Sequence, residues 1–95
     1  MAAVLGILQF TTRIRAARTL KDKRRVVKSM KDRIRNRHNV SVAEVDDLDV
    51  IKQAILAVAM VGNDRVYIES ALTKLLDQLM YHPEAELVDH SLEIL

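Results

Sequence analysis

The chain has 95 residues, of which 49% are hydrophobic and 29% charged. That size and composition suit one domain over residues 1–95 with a single core, and exclude a disordered chain. Cysteine is absent, which excludes a disulfide framework, a thiolate zinc site and a cysteine nucleophile. No apolar stretch is long enough to span a membrane and the N-terminus carries no basic-then-apolar signal pattern, so the expected address is cytoplasmic.

Residues 3–12, Ala-Val-Leu-Gly-Ile-Leu-Gln-Phe-Thr-Thr, are apolar and β-branched, and predict a buried strand. A loop through Arg18 leads to Thr19-Leu-Lys-Asp22, a capping box that starts a helix running to about residues 36–39. Leu20, Val27 and Ile34 recur every seven residues with Val26 and Met30 beside them, which gives that helix one apolar stripe. Lys23 falls on the stripe and is expected to snorkel outward. Val40–Val45 alternates at period two and predicts a half-buried strand, followed by a turn at Asp46–Asp49. Ala54–Val61 is a continuous apolar run ending at Gly62-Asn-Asp64, read as a strand, although Val50, Ile51, Ala54, Ile55 and Val58 also fit a helical face. Asn63 or Asp64 caps a second helix over about 64–81, with Ile68, Leu72, Leu75, Leu76 and Leu79 as its apolar positions and Pro83 beyond its end. Glu86–Leu95 alternates, with Val88, Leu92 and Ile94 on one side, and predicts a last strand.

The resulting order, β-α-β-β-α-β, predicts an α+β ferredoxin-like sandwich: a four-stranded antiparallel sheet with both helices on one face. The other face of the sheet is then uncovered. Leu5, Ile7, Leu56, Val58 and Met60 make both faces of the central strands apolar. An open apolar sheet face predicts a homodimer or another protein partner.

The net charge of +2 conceals a strong polarity. Residues 13–38 hold twelve Lys and Arg against Asp22 and Asp32, a net +10, while residues 39–95 hold three basic and eleven acidic side chains, a net −8. Arg24, Lys28, Lys31 and Arg35 are spaced four, three and four apart. On a helix they form one exposed row about 16 Å long. Lys21 and Arg25 flank the row, and Arg13, Arg15 and Arg18 extend it at the helix start. Acids are too scarce in this segment for i,i+4 pairing to explain the row. Lys21, Lys23, Arg24 and Arg25 also crowd the first turns, where the helix dipole disfavours cations. A conflict of this kind points to an anionic partner, RNA or DNA first. Phe10, Tyr67 and Tyr81 are the only aromatics and do not form a base-stacking pattern, so the expected contact is with the backbone of duplex or structured RNA. The apolar stripe belongs to the core, which argues against membrane binding.

His38, His82 and His90 are scattered and are read as ordinary side chains. Glu44, Asp46, Asp47 and Asp49 lack calcium-loop spacing and its glycine, and are read as a solvated turn. No nucleophile–base pair or glycine-rich phosphate loop is visible. No catalytic residue, metal site, cofactor or enzymatic activity is expected.

The run Ala17–Arg25, its continuation through Arg37, and Asn39-Val-Ser-Val-Ala-Glu-Val-Asp46, with Gly62-Asn-Asp64 and Glu93-Ile-Leu95, resemble the YlxP-like family of small bacterial domains of unknown function. The motif positions are Leu20, Lys21, Lys23, Arg24, Asn39, Ser41 and Glu44. The resemblance covers nearly the whole chain. It implies a ferredoxin-like fold and a bacterial cytoplasmic setting. The family's genes tend to neighbour those for translation initiation factor two and ribosome-binding factor A, which implies RNA or ribosome work by association. Many members look aromatic where this chain has His38, and carry Trp or Tyr near Ile51. Two functions follow as expectations. The first is a non-enzymatic RNA-binding or ribosome-associated accessory factor using Lys21, Arg24, Arg25, Lys28, Lys31 and Arg35. The alternative is a homo-oligomeric interaction module whose basic helix docks on an acidic protein surface.

Overall fold

A computed structural model describes residues 2–95. Its elements follow the expected order: β1 (Val4–Arg13), α1 (Leu20–Arg37), β2 (Ser41–Asp46), β3 (Gln53–Gly62), α2 (Arg65–Leu79) and β4 (Glu86–Ile94). The four strands form one antiparallel sheet in the order β2-β3-β1-β4. This is the ferredoxin-like α+β layout. The two hydrophobic central strands lie in the middle and the two polar ones form the edges.

Local chemistry sets the helix starts. Thr19 Oγ1 accepts the Asp22 N–H at 3.1 Å, and Asp22 Oδ2 accepts the N–H groups of Arg18 at 3.0 Å and Thr19 at 3.2 Å. The capping box therefore satisfies donors that a helix N-terminus leaves orphaned. The Arg18 N–H, then that of Thr19, hold the Asp22 carboxyl below its ordinary range. Asp64, rather than Asn63, caps α2, its Oδ1 accepting from Val66 N at 3.0 Å and Tyr67 N at 3.4 Å. The α2 helix ends at Leu79, and Met80 and Tyr81 turn the chain before Pro83. The segment around Ala54 is strand, not helix. Its ten residues pair throughout with β1, from Gly62 opposite Val4 to Gln53 opposite Arg13.

The period-two alternation divides the sheet residues cleanly. Leu8, Phe10 and Thr12 of β1, Val42 of β2 and Ala54, Leu56, Val58 and Met60 of β3 are buried. They meet Val26, Val27, Met30 and Ile34 of α1 and Ile68, Leu72, Leu75 and Leu79 of α2. Leu5 and Ile7 point to the other face, opposite Val61 and Ala59. Two residues of the expected inward row of β4 stay outside the core, Leu92, 36% exposed, and Val88. The pairing of β1 with β4 slips between Thr11 and Thr12, which puts Leu87 opposite Thr12. Leu87 packs on the core, and Val88 is left 40% exposed. A bulge of this kind shifts the alternation by one residue.

The closest approach of helix to sheet is at Gly6. A Cβ there would lie 2.5 Å from Ile68 Cγ2 and 2.7 Å from Leu72 Cδ1. Gly6→Ala should therefore lift α2 off β1 and cost about 1–3 kcal/mol by overpacking, read as a lower urea midpoint with an unchanged slope.

Candidate nucleic-acid interface

The α1 helix turns its apolar stripe to the sheet, and the row predicted from spacing runs along its flank on the β2 side. Arg24, Lys28 and Arg35 are exposed and Lys31 is half-buried. Lys21 and Arg25 are exposed at the start of the row. Arg35 lies against edge strand β2, its Nη2 donating to the Val42 carbonyl at 3.2 Å.

The chain's own carboxylates neutralise some of this charge. Arg25 makes a two-pronged contact with Glu84, Nη2 to Oε2 at 2.8 Å and Nη1 to Oε1 at 3.3 Å. Its guanidinium holds the Glu84 carboxyl below the usual range. Lys28 Nζ lies 2.8 Å from Asp32 Oδ2, an i,i+4 pair that corrects the expectation of no such pairing in the row. It lowers the Asp32 pKa. Arg15 pairs with Glu86 at 2.9 Å. All three pairs are solvent-exposed, and exposed pairs are worth about 0.2–1 kcal/mol. They compete weakly with an external anion. Among the described residues, Lys21, Arg24 and Lys31 have no carboxylate within ion-pair distance, nor have Arg13, Arg18, Arg33, Arg35 and Arg37.

One basic residue outside the +10 segment sits beside Arg13 and Arg15. Lys52, at the start of β3, donates to the carbonyls of Arg15 at 2.7 Å and Ala17 at 2.8 Å. With Arg13, Arg15, Val50 and Gln53 it lines a cavity of about 410 Å³ at the end of the sheet. Counting charge along the chain cannot find it, because its partners lie 35 and 37 residues away.

Lys23 departs furthest from expectation. Its side chain does not snorkel but is fully buried. Nζ lies 2.8 Å from Glu44 Oε2 and donates to the Asp47 carbonyl at 2.6 Å, with the Leu48 carbonyl 3.5 Å away. Three oxygens thus surround the ammonium, as burial of a charge demands. The Glu44 oxygen has this charge contact but no aligned hydrogen bond. Asp47 reaches its place by adopting a left-handed backbone, φ 54°, which Asp tolerates better than most residues. The acidic turn therefore does separate jobs. Glu44 pairs with Lys23, Asp46 Oδ1 accepts from Asp47 N, and Asp47 Oδ2 accepts from Gln53 Nε2. Among the described residues no three His, Asp or Glu side chains converge as a metal site.

His82 is buried below α1. Its Nδ1 accepts the Glu84 N–H at 3.1 Å and its Nε2 lies 3.5 Å from Ser29 Oγ. Burial, reinforced by the Arg33 charge and opposed by Glu84, lowers its pKa from 6.5. His38 Nε2 lies 2.9 Å from Gln78 Oε1 at the surface, and His90 is exposed on β4. The three histidines do not converge.

Comparison with known proteins places this architecture. The family described as "Protein of unknown function (DUF503)" matches residues 5–92. The uncharacterized protein YlxP of Bacillus subtilis (strain 168) is 31% identical over 83 residues, covering 87% of this chain and 90% of that protein. The de novo designed protein Foldit4 superposes with a TM-score of 0.55 over 98% of this chain and 96% of its own, at 14% identity. That last likeness is one of fold alone.

Two outcomes test this geometry. Glu44→Leu leaves the Lys23 ammonium buried without its counter-charge and should cost about 3–5 kcal/mol, while Lys23→Met with Glu44→Leu should recover most of the loss; a double-mutant cycle in urea reads the coupling. A histidine whose folded pKa is lowered stabilises the fold above its unfolded value and loses that stability as pH falls. Melting temperature should therefore drop as pH falls below 6.5, and His82→Gln should flatten the decline down to about pH 5, where carboxylates take over.

Proposed function

Because the chain belongs to the DUF503 family, whose description assigns no activity, its surface chemistry is the premise from which we propose its function. It is a non-enzymatic RNA-binding accessory factor that acts in the cytoplasm at the ribosome or its precursors. The observation that carries this reading is the row on α1 in which Arg24 and Lys31, with Lys21 beside them, have no carboxylate within ion-pair distance among the described residues. A fold selected for stability alone would place acids in those first turns. A row about 16 Å long can meet several phosphates of one strand at once.

The roles within the row differ. Lys21, Arg24 and Lys31 would contact phosphates directly. Arg35 would contribute while anchored to the Val42 carbonyl. Lys28 exchanges a weak local pair for a phosphate, and Arg25 is held by Glu84. The contact is with backbone and shape, because the row carries cations and no stacking side chain. An acidic protein surface would use the same cations, but without release of the counterions condensed on a nucleic acid.

With about four phosphate contacts, log affinity for a structured RNA should fall with log salt at a slope of about −3. Lys28→Glu with Lys31→Glu should weaken binding to every RNA tested, and Arg24→Glu should weaken it more than Arg25→Glu. Filter binding or fluorescence anisotropy across a salt series reads both. Unchanged affinity in the Lys28/Lys31 double variant removes the helix from the interaction.

A further inference from the structure

The cavity at the end of the sheet is lined by no residue of α1. Arg13, the last residue of β1, and Gln53, the first of β3, lie opposite each other in the ladder and so share a face. With Arg15, Val50 and Lys52 they line about 410 Å³, a volume in the range of small-molecule sites. The backbone that bears them is pinned. Ile14 N donates to the Lys52 carbonyl at 2.8 Å, and Val50 N to the Asp47 carbonyl at 3.0 Å. The Lys52 ammonium is pinned as well, by the Arg15 carbonyl at 2.7 Å and the Ala17 carbonyl at 2.8 Å. An ammonium has three donors, so one is left for a further acceptor. Among the described residues neither Arg13 nor Lys52 has a carboxylate within ion-pair distance. Two carboxylates are near. Glu86 faces Arg13 across the ladder and pairs with Arg15 at 2.9 Å, and Asp47 Oδ2 accepts from Gln53 Nε2 at 2.8 Å. Neither lines the cavity.

We propose that this cavity binds a phosphate monoester, the terminal phosphate of a small molecule or of an RNA end. The lining chemistry selects that class. Guanidinium and ammonium groups donate and cannot accept, and Gln53 is the one lining side chain that carries an acceptor. The matching ligand is therefore negative and rich in acceptors. A phosphate monoester carries about −1.5 to −2 charge at pH 7 and three strong acceptor oxygens, one each for Arg13, Arg15 and Lys52. A phosphodiester of the RNA backbone has a single charge and one fewer such oxygen, so it suits the open row on α1 better than this cavity. The planar forks of Arg13 and Arg15 fit the oxygens of a phosphate in pairs. Arg15 is available to a ligand in spite of Glu86, because its side chain is 70% exposed and an exposed pair is weak. Val50, 43% exposed, gives the organic part of the ligand an apolar wall. Closing the loop onto the sheet accounts for Lys52 alone and not for the two arginines beside it.

The site does not depend on the α1 row, and its first test needs no RNA. Adenosine monophosphate is titrated into the isotopically labelled full chain at about pH 7.5, where its phosphate is a dianion. The amide resonances of Arg13, Arg15, Lys52 and Gln53 should shift together. Cyclic AMP, a diester, should bind about tenfold more weakly, and adenosine should leave the resonances in place. Arg13→Glu, at an exposed strand end, should weaken binding at least tenfold with an unchanged melting temperature. Lys52→Met should also lose binding, measured below its own melting transition because it gives up the two carbonyl contacts. An RNA oligonucleotide with a terminal phosphate, compared with its hydroxyl-ended twin, assigns the source. A gain in affinity from that phosphate, abolished by Arg13→Glu, places the ligand on an RNA end; binding of adenosine monophosphate without such a gain places it on a small molecule. Equal binding of monoester and diester overturns the proposal, as does full binding by Arg13→Glu. So does the absence of shifts with both the phosphorylated oligonucleotide and adenosine monophosphate up to about 10 mM, beyond the weakest affinity of a specific site.

Discussion

The ammonium of Lys23 sits in the seam between α1 and the β2–β3 turn, and the placement of the basic row depends on it. Its Nζ meets Glu44 Oε2 at 2.8 Å and the Asp47 carbonyl at 2.6 Å. One contact fastens α1 to an edge strand and the other to the turn that follows it. A helix has only one rotation about its axis that satisfies both. That rotation buries Val26, Val27, Met30 and Ile34 and sends Arg24, Lys28, Lys31 and Arg35 outward. A buried pair is not in itself a strong source of stability, because desolvation offsets most of the attraction. Its value lies in geometry. An aliphatic residue at position 23 would let the helix roll over the sheet, whereas a buried charge has one place to go.

The electrostatic polarity of the chain survives folding. The +10 segment could have been absorbed by the −8 remainder, and among the described residues only Arg15, Lys23 and Arg25 pair with its carboxylates. Several acids of the second half lie on β4, the opposite edge of the sheet from β2, beside which α1 carries its row. Glu44 and Asp46 lie on β2 itself and Asp47 and Asp49 on the turn after it, so the separation of signs is partial. The cations of α1 without a carboxylate at ion-pair distance are what sustain a local field at a net charge near zero. Lys52, drawn to the Arg15 and Ala17 carbonyls, strengthens the cationic end.

The sequence shows most of the architecture because its local signals agree. The capping box at Thr19, the period-two run of β2 and the stripe through Leu20, Val27 and Ile34 each specify an element, and each element forms with bounds shifted by a residue or two. The continuous apolar run at Ala54–Val61 fits two periods at once, and pairing with β1 over its full length decides it as strand. Features that depend on distant partners were not legible. Lys23 reads as a surface cation until Glu44, Asp47 and Leu48 close over it. Val88 reads as an inward residue until the slip at Thr11/Thr12 gives that role to Leu87. His82 reads as an ordinary loop histidine, yet the approach of Ser29 and the Glu84 N–H shows it to be buried and bonded. Within the row, spacing found the cations but not which of them Glu84 and Asp32 hold.

The two edge strands are each interrupted. β2 slips against β3 between Glu44 and Asp46, and β4 slips against β1 beside Thr12. Arg35 also occupies the Val42 carbonyl. An irregular rim bearing charge offers a poor template to an incoming strand. Assembly by lateral growth of the ladder is thereby discouraged, and a crowded solution of this apolar-rich chain is steered away from fibres.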